Sequence, residues 1–440
     1  MSRKLDKSRG AAEKGSSGET PTKQSVVSTP LNPHSSIQFR IFVGSYEHNL
    51  LCLSAMIDPT GSKDAVFQPI FHFEAHSRSI KSIDLAKRYL VTGSNDEHIR
   101  IYDLQKRKEL GNLLGHQGTI TTLRFSTENS SVVNAEKSGK WLLSGSEDGK
   151  IIIWRTKDWE MFATLKGHTG KINDLAIHPS GRVAISVSSD QTIRLWNLMT
   201  AKKAAVLKIK GKDHLGQVGE YVKWSNNGDY FIVGLLNQIF IYNTSGAKIV
   251  KKIKFNATVM CIEIVNFDDK QWLVVGLGQG ALQFYDFDEL IAAIDEEVKE
   301  SDVWDSKAEV LPPTFELRGH TNRIKGITFF KHASTNNIPH LISVSSDGKI
   351  VVWNLDTRDQ IAVYDTGERL NCVAASPESV EKIDTMKKRY NSLQEMNPDY
   401  DGAVSESEYE TDGEEVKRVM TGRKKGSKNK KRKVTVTLEN

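Results

Sequence analysis

The chain is 440 residues long, 38% hydrophobic and 26% charged, with 32 glycines and a net charge of +5. It holds no apolar run near the roughly 20 residues that cross a membrane, and its start, Met1-Ser2-Arg3-Lys4, lacks the apolar core of a secretory signal. Cys52, Cys261 and Cys372 stand far apart with no Cys-x-x-Cys, which supports neither a zinc knuckle nor a disulfide framework and reads as small buried side chains in a reducing compartment.

In chain order, residues 1–36 are rich in Ser, Lys, Gly and Thr with almost no apolar content, the composition of a disordered tail. Strand-like runs begin at 37–43, 49–53 and 66–73, a set that lacks one strand. Next comes a repeated polar pattern: His76, Ser94, Asp96 and Tyr102; then His116, Ser146, Asp148 and Trp154, with a longer internal loop at 126–140; then His168, Ser188, Asp190 and Trp196. Two worn repeats follow, with strands near 218–224, 230–234 and 238–242, then near 259–265, 272–276 and 281–287. Neither carries the polar set. An acidic, helix-prone insertion fills 288–312, and the last clear repeat has His320, Ser345, Asp347 and Trp353. Residues 361–364 and 369–374 read as two more strands.

Gly167-His168, then Ser188-Ser189-Asp190-Gln191-Thr192-Ile193-Arg194-Leu195-Trp196-Asn197, is the signature of a WD-repeat blade, a four-stranded antiparallel sheet arranged with others around a channel. The buried polar groups must satisfy one another. The expected wiring has Asp190 accepting from the His168 ring while the Ser188 hydroxyl bridges that ring to the Trp196 indole. Six sets lie between His76 and Tyr364, and the strand near 369–374 can complete the first. The predicted fold is therefore all-β: a seven-bladed WD40 β-propeller over 37–376, closed by pairing of N- and C-terminal strands, with disordered tails. Ser, His and Asp together also suggest a hydrolase. A catalytic triad is needed once, however, whereas this set recurs in four repeats. No Gly-x-Ser-x-Gly elbow, His-x-x-x-His on a helix or phosphate loop accompanies it. The tetrads read as structural, and the chain as no enzyme, with no cofactor and no metal.

After the ring, 377–398 reads as a short amphipathic helix (Val380, Ile383, Met386, Tyr390, Leu393) that either caps one face or binds a partner. Residues 399–440 are acidic, then basic. Ser405, Ser407 and Thr411 each have an acid three residues on, the pattern of acid-directed kinases of the casein kinase 2 type. Arg423, Lys424, Lys425, Lys428, Lys430, Lys431, Arg432 and Lys433 form a dense basic run that suits nuclear or nucleolar import and phosphate contact. No aromatics are interleaved, which argues against base stacking. A second basic feature lies where the outer strands of two neighbouring blades should fall: Lys208, Lys210 and Lys212, then Lys251, Lys252 and Lys254. They are either edge-strand lysines that block aggregation or a flank for RNA or an acidic partner.

The order of intact and worn repeats resembles the WD-repeat ribosome-assembly family known from the yeast maintenance-of-killer genes and called PAK-interacting protein in animals. The match is carried by Val43-Gly44-Ser45-Tyr46-Glu47, by Val91-Thr92-Gly93-Ser94-Asn95-Asp96-Glu97 with Ile101-Tyr102-Asp103, and by His116-Gln117-Gly118-Thr119-Ile120-Thr121. Ile177-His178-Pro179-Ser180-Gly181 and Ser343-Val344-Ser345-Ser346-Asp347-Gly348 continue it. The acidic insertion and the Ser-Glu block depart from the animal members and point to a fungal one. The resemblance implies a nucleolar scaffold for building the large (60S) ribosomal subunit, holding ribosomal-like protein 24 and other assembly factors in pre-60S particles, with contact to ribosomal RNA as an added role. It implies no membrane and no small-molecule substrate. Two other roles stand beside it. One is a signalling adaptor that binds and inhibits a PAK-family kinase. The other is a ubiquitin-ligase substrate receptor, for which Trp353-Asn354-Leu355-Asp356-Thr357-Arg358 is a weak signal.

Overall fold

The computed structural model describes residues 37–58, 64–127, 137, 139–209, 217–292, 308–331 and 338–380. Among these, every strand belongs to one of seven four-stranded antiparallel sheets. Blade 1 orders its strands Leu370–Pro377, Ile37–Ser45, Asn49–Ile57 and Val66–Glu74, from the channel outward. Blades 2 to 7 each use four consecutive strands. Their inner strands are, in order, Ile80–Ala86, Ile120–Phe125, Ile172–Ile177, Tyr221–Trp224, Val259–Phe267 and Ile324–Lys331. Each inner strand contacts the next around the ring, and Ile324–Lys331 contacts Leu370–Pro377 to close it.

The burial of the strands follows from stacking sheet on sheet. Ile37–Ser45 is buried at eight of nine positions because blades 7 and 2 cover both its faces. The outer strand Lys202–Lys208 is exposed at six of seven. Apolar residues thus run continuously along middle strands such as Ile151-Ile152-Ile153-Trp154, and polar ones collect at the perimeter. The core is not central. It is divided into seven apolar clusters, one at each blade interface. Ile41, Val43, Ile342 and Val344 belong to the cluster between blades 1 and 7, for example.

Closure joins the two ends of the ring. Phe39 pairs with Pro377, Ile41 with Ala375 and Val43 with Val373, so the first strand gains its inner neighbour from the far end of the chain. Beyond Pro377 a short 3-10 turn, Glu378–Val380, folds back on blade 1. Glu378 accepts from Arg40 Nε at 2.8 Å and from Nη2 at 2.6 Å, and Arg40 is only 2% exposed. The rest of the helix expected at 377–398 lies outside the described residues, as do 1–36 and 381–440.

The insertion begins with a helix, Phe287–Ala292, capped by Asp286, whose carboxylate accepts from the amides of Asp288 (3.1 Å) and Glu289 (3.2 Å). Residues 293–307 lie outside the described residues. On its return, the chain runs along the outer edge of blade 5: Lys254 N–H donates to Glu309 O at 2.7 Å, and Glu309 N–H to Lys252 O at 3.3 Å.

Glu378→Ala leaves the buried Arg40 guanidinium without its bidentate carboxylate, and is expected to destabilise the ring by about 3 kcal/mol. Urea unfolding of both chains measures this. An unchanged midpoint would mean that the turn after the closing strand adds nothing to closure.

Candidate functional site: tetrads and channel mouths

Four blades carry a buried polar relay. In blade 4, His168 Nδ1 lies 2.9 Å from Asp190 Oδ2, and His168 Nε2 lies 2.7 Å from a hydroxyl that also accepts from Trp196 Nε1 at 2.8 Å. That hydroxyl belongs to Ser186, not to Ser188. The same correction holds throughout. The hydroxyls at the histidines are Thr92 (2.7 Å), Ser144 (2.8 Å), Ser186 and Ser343 (2.8 Å), each two residues before the expected Ser94, Ser146, Ser188 and Ser345. Residues two apart on a strand share a face, so both serines point the same way. Ser188 sits one rung nearer the turn, where its oxygen accepts from Asp190 N–H at 3.2 Å, and Ser94, Ser146 and Ser345 accept likewise from the amides of Asp96, Asp148 and Asp347.

The relay has a direction. A carboxylate only accepts, so the histidine proton sits on Nδ1 and points at the aspartate. Nε2 is then an acceptor, the serine O–H donates to it, and the serine oxygen is left to accept from the indole. His116 with Asp148 (3.2 Å) and Trp154, and His320 with Asp347 (3.1 Å) and Trp353, are wired identically. In blade 2, His76 reaches Asp96 at 2.9 Å while Tyr102 stands where the others have Trp. In blades 4 and 7 the imidazole is neutral in this arrangement. Burial pushes His168 and His320 below the ordinary histidine value, against the pull of Asp190 and Asp347. Burial alone would raise the aspartates, yet hydrogen bonds from the histidine and the turn residues hold Asp148 and Asp190 down at about 2 and Asp96 well below the usual carboxylate range.

The two worn repeats replace this relay with hydrocarbon. In blade 6, Val275 takes the hydroxyl's place on the strand and Tyr285 the indole's, with the Phe255 ring edge-on to Tyr285 at 5.9 Å; all three are buried. In blade 5, Val233 and Tyr242 occupy the same places, and the turn tightens to Leu236-Asn237 between Leu235 and Gln238. Among the described residues of that blade no histidine is buried that would need the aspartate, although Gln238 is buried beside the turn.

Further acids, not singled out in the sequence, latch one blade to the next. Asp84 accepts from Phe125 N–H at 2.7 Å and pairs with Lys137. Asp174 accepts from Thr122 Oγ1 (3.0 Å), Arg124 (3.2 Å) and Val222 N–H (3.2 Å), tying blades 3, 4 and 5. Lys223 donates to Glu263 at 2.6 Å across blades 5 and 6. A single acid inside Ile80-Lys81-Ser82-Ile83-Asp84-Leu85-Ala86 was the available signal. The ends of all seven inner strands meet at one mouth of the channel, a cavity of about 1210 Å³ lined by Asp84, Arg124, Lys223, Glu263 and Phe330 among others. Three ion pairs form there: Asp84 with Lys137, Arg124 with Asp174 and Lys223 with Glu263. Burial alone would lower the Arg124 guanidinium, but Asp174, Asp84 and Glu263 together raise it.

The perimeter lysines divide. Lys208 and Lys254 are exposed and Lys251 is half-buried, each on the outer strand of its blade. Lys252 is not on an open flank: it is 5% exposed, with its ammonium 5.7 Å from the centre of the Phe240 ring, because it faces inward on its strand. Lys210 and Lys212 lie outside the described residues, as do Ser405, Ser407, Thr411 and the basic run from Arg423 to Lys433. All three cysteines are free and buried, with burial pushing the Cys261 and Cys372 thiols up to about 12. Among the described residues no group of three His, Cys, Asp or Glu is placed to hold a metal ion.

A ring of stacked blades wired in this way is a WD-repeat propeller, and such a ring is a scaffold for protein–protein interaction. Residues 67–103, 107–155, 159–197 and 311–354 match the family described as WD domain, G-beta repeat; the two worn blades fall between the last two matches. The chain is 51% identical over 422 residues to Protein MAK11 of Saccharomyces cerevisiae, covering 91% of this chain and 98% of that one. It is 33% identical to p21-activated protein kinase-interacting protein 1-like of Gallus gallus, over 70% of this chain and 73% of that one. With the human p21-activated protein kinase-interacting protein 1 it shares 30%, over 81% of each. The chain belongs to this family of WD-repeat proteins.

Two expected outcomes test the wiring. Ser186→Ala strands both the Trp196 indole N–H and the His168 ring, and should destabilise the fold by roughly 1–3 kcal/mol, whereas Ser188→Ala removes one acceptor in the turn and should remove about 1 kcal/mol or less. Equal losses in urea unfolding would restore Ser188 to the relay. For pH, the folded values of His168 and His320 lie below the ordinary 6.5, and those of the relay aspartates below 3.8. The unfolded chain therefore binds more protons on acidification, so both groups stabilise at higher pH and lose that contribution as pH falls. The unfolding midpoint should drop as pH falls below 6.5, and again between 3.8 and about 2. A midpoint that rises between pH 7 and 5 would rule out neutral histidines.

Proposed function

We propose that this chain is a nucleolar assembly factor for the large ribosomal subunit. In this role the propeller is a non-catalytic platform that holds a ribosomal-like protein of the ribosomal-like protein 24 type in pre-60S particles, and the lysine-rich end serves for import and contact with ribosomal RNA. The observation that carries this reading is the likeness to MAK11 over 91% of the chain, well beyond the matched repeats. The resemblance is thus to one family and not to WD repeats at large. The fold supports it physically: a ring closed by its own termini presents many loops on a rigid frame. The basic run Arg423-Lys424-Lys425-Gly426-Ser427-Lys428-Asn429-Lys430-Lys431-Arg432-Lys433 adds affinity for phosphates.

A second reading is favoured by the relatives' names. Several are called p21-activated protein kinase-interacting proteins, and a relative in Schizosaccharomyces pombe, 25% identical over 381 residues, is Shk1 kinase-binding protein 15. An adaptor that restrains a kinase would use the same ring without RNA.

Affinity purification of the tagged chain, sedimented on a gradient, separates the two. The assembly reading expects large-subunit precursor RNA with assembly factors in heavy fractions. It also expects weaker association when Lys208 and Lys251 are both changed to Glu. A light, RNA-free complex with a kinase would replace it with the adaptor.

A further inference from the structure

The channel's other mouth, where the inner strands begin, has a different electrostatic character. In blades 7, 1 and 2 these strands start in the same register: Ile324 opposite Ser345, Leu370 opposite Ser45 and Ile80 opposite Ser94. They lie side by side. The Asn371 side chain donates to Ser79 Oγ (3.0 Å) and Ile80 O (2.8 Å), and a Cβ on Gly326 would meet Val373 N at 3.3 Å. This arc carries Arg323 and Lys325 from blade 7, Arg369 from blade 1, and Arg78 and Lys81 from blade 2. All are exposed except Lys325, which is half-buried.

One carboxylate stands close, since Glu47 accepts from the backbone N–H of Arg369 at 3.1 Å. None of the five side chains pairs with a carboxylate among the described residues, in contrast to the acid–base pairs Arg124–Asp174 and Lys223–Glu263 at the opposite mouth. Burial together with nearby Arg323 and Lys81 holds the Lys325 amine below the usual lysine range, so positive groups of blades 7 and 2 feel one another across the arc. A fold that brings like charges together with too few counter-charges is destabilised by their repulsion, and an anionic ligand relieves it.

The surroundings select the kind of anion. On the same side, on the turns of blades 1, 2 and 3, stand exposed Glu47, Glu97 and Glu147, spaced along the ring. A long polyanion such as RNA lying across this face would pass over those carboxylates and be repelled. A short acidic stretch of polypeptide can lie on Arg78, Lys81, Arg323 and Lys325 without running along all three carboxylates.

We infer that the mouth framed by Arg78, Lys81, Arg323, Lys325 and Arg369 is a docking site for an acidic linear segment of a partner protein. The inference goes beyond the assembly reading and does not depend on it, since it concerns what the ring grips and not where.

The test uses the full chain and a fluorescein-labelled oligoglutamate peptide carrying a photo-crosslinker. Crosslinks are expected within 78–81, 323–325 and 369–371. Lys81→Glu with Lys325→Glu, and the milder Lys81→Gln with Lys325→Gln, should keep the thermal unfolding midpoint of the unaltered chain or raise it. The charge-reversed pair should weaken binding by about tenfold or more. Crosslinks confined to the basic run at 423–433, or unchanged affinity in both pairs, would overturn the proposal. So would short oligouridine that crosslinks at the same three places and displaces the peptide, since the mouth would then be a nucleic-acid site.

Discussion

A sheet held between two others has no face to give to water. Every blade in this chain is in that position, and most of the structure follows from it. Middle strands become apolar on both sides, and the hydrophobic contribution is spread over seven interfaces instead of one centre. Any polar group carried into a sheet must find its partner inside the same blade or across to the next. The Trp–Ser–His–Asp relay is the first solution. The Asp84 and Asp174 latches, which bind a neighbouring strand's amide, are the second.

The worn blades show that the relay is one answer to the constraint and not a requirement of the fold. Blade 6 buries Phe255, Val275 and Tyr285 where blade 4 buries a polar tetrad, and its strands keep the same register. Replacing a fully paired network by well-packed apolar groups is close to neutral in stability, whereas removing one member of the network is not. This explains why the repeats are either nearly intact or thoroughly altered. It also explains why blade 2 tolerates Tyr102: its histidine already has Thr92 and Asp96.

The blade count and the closure were legible in the sequence because they depend on identity at fixed spacing. His168, Asp190 and Trp196 each have a distinct chemistry that recurs at the same spacing, and the unpaired first set demanded a strand from the other end. Ser186 was not legible, since Ser188 has the same side chain, faces the same way and lies nearer the aspartate. The fate of Lys252 was hidden for another reason. What covers that edge is residue 309, more than fifty positions away and beyond a long insertion. The charge of the two mouths was hidden too, because it emerges only when residues near 80, 325 and 370 are brought side by side.

Closure by the last strand also sets an order in time. During synthesis from the N-terminus, Ile37–Ser45 is made early and its inner edge stays open until Leu370–Pro377 has been made. Blades 2 to 6 are complete in sequence long before the first blade is. For nearly all of translation the nascent ring therefore offers an unfilled, strongly apolar β edge, the kind of edge that captures foreign strands. That edge is filled from within the chain only once residue 377 has emerged. The exposure comes from the position of one strand, not from the length of the chain.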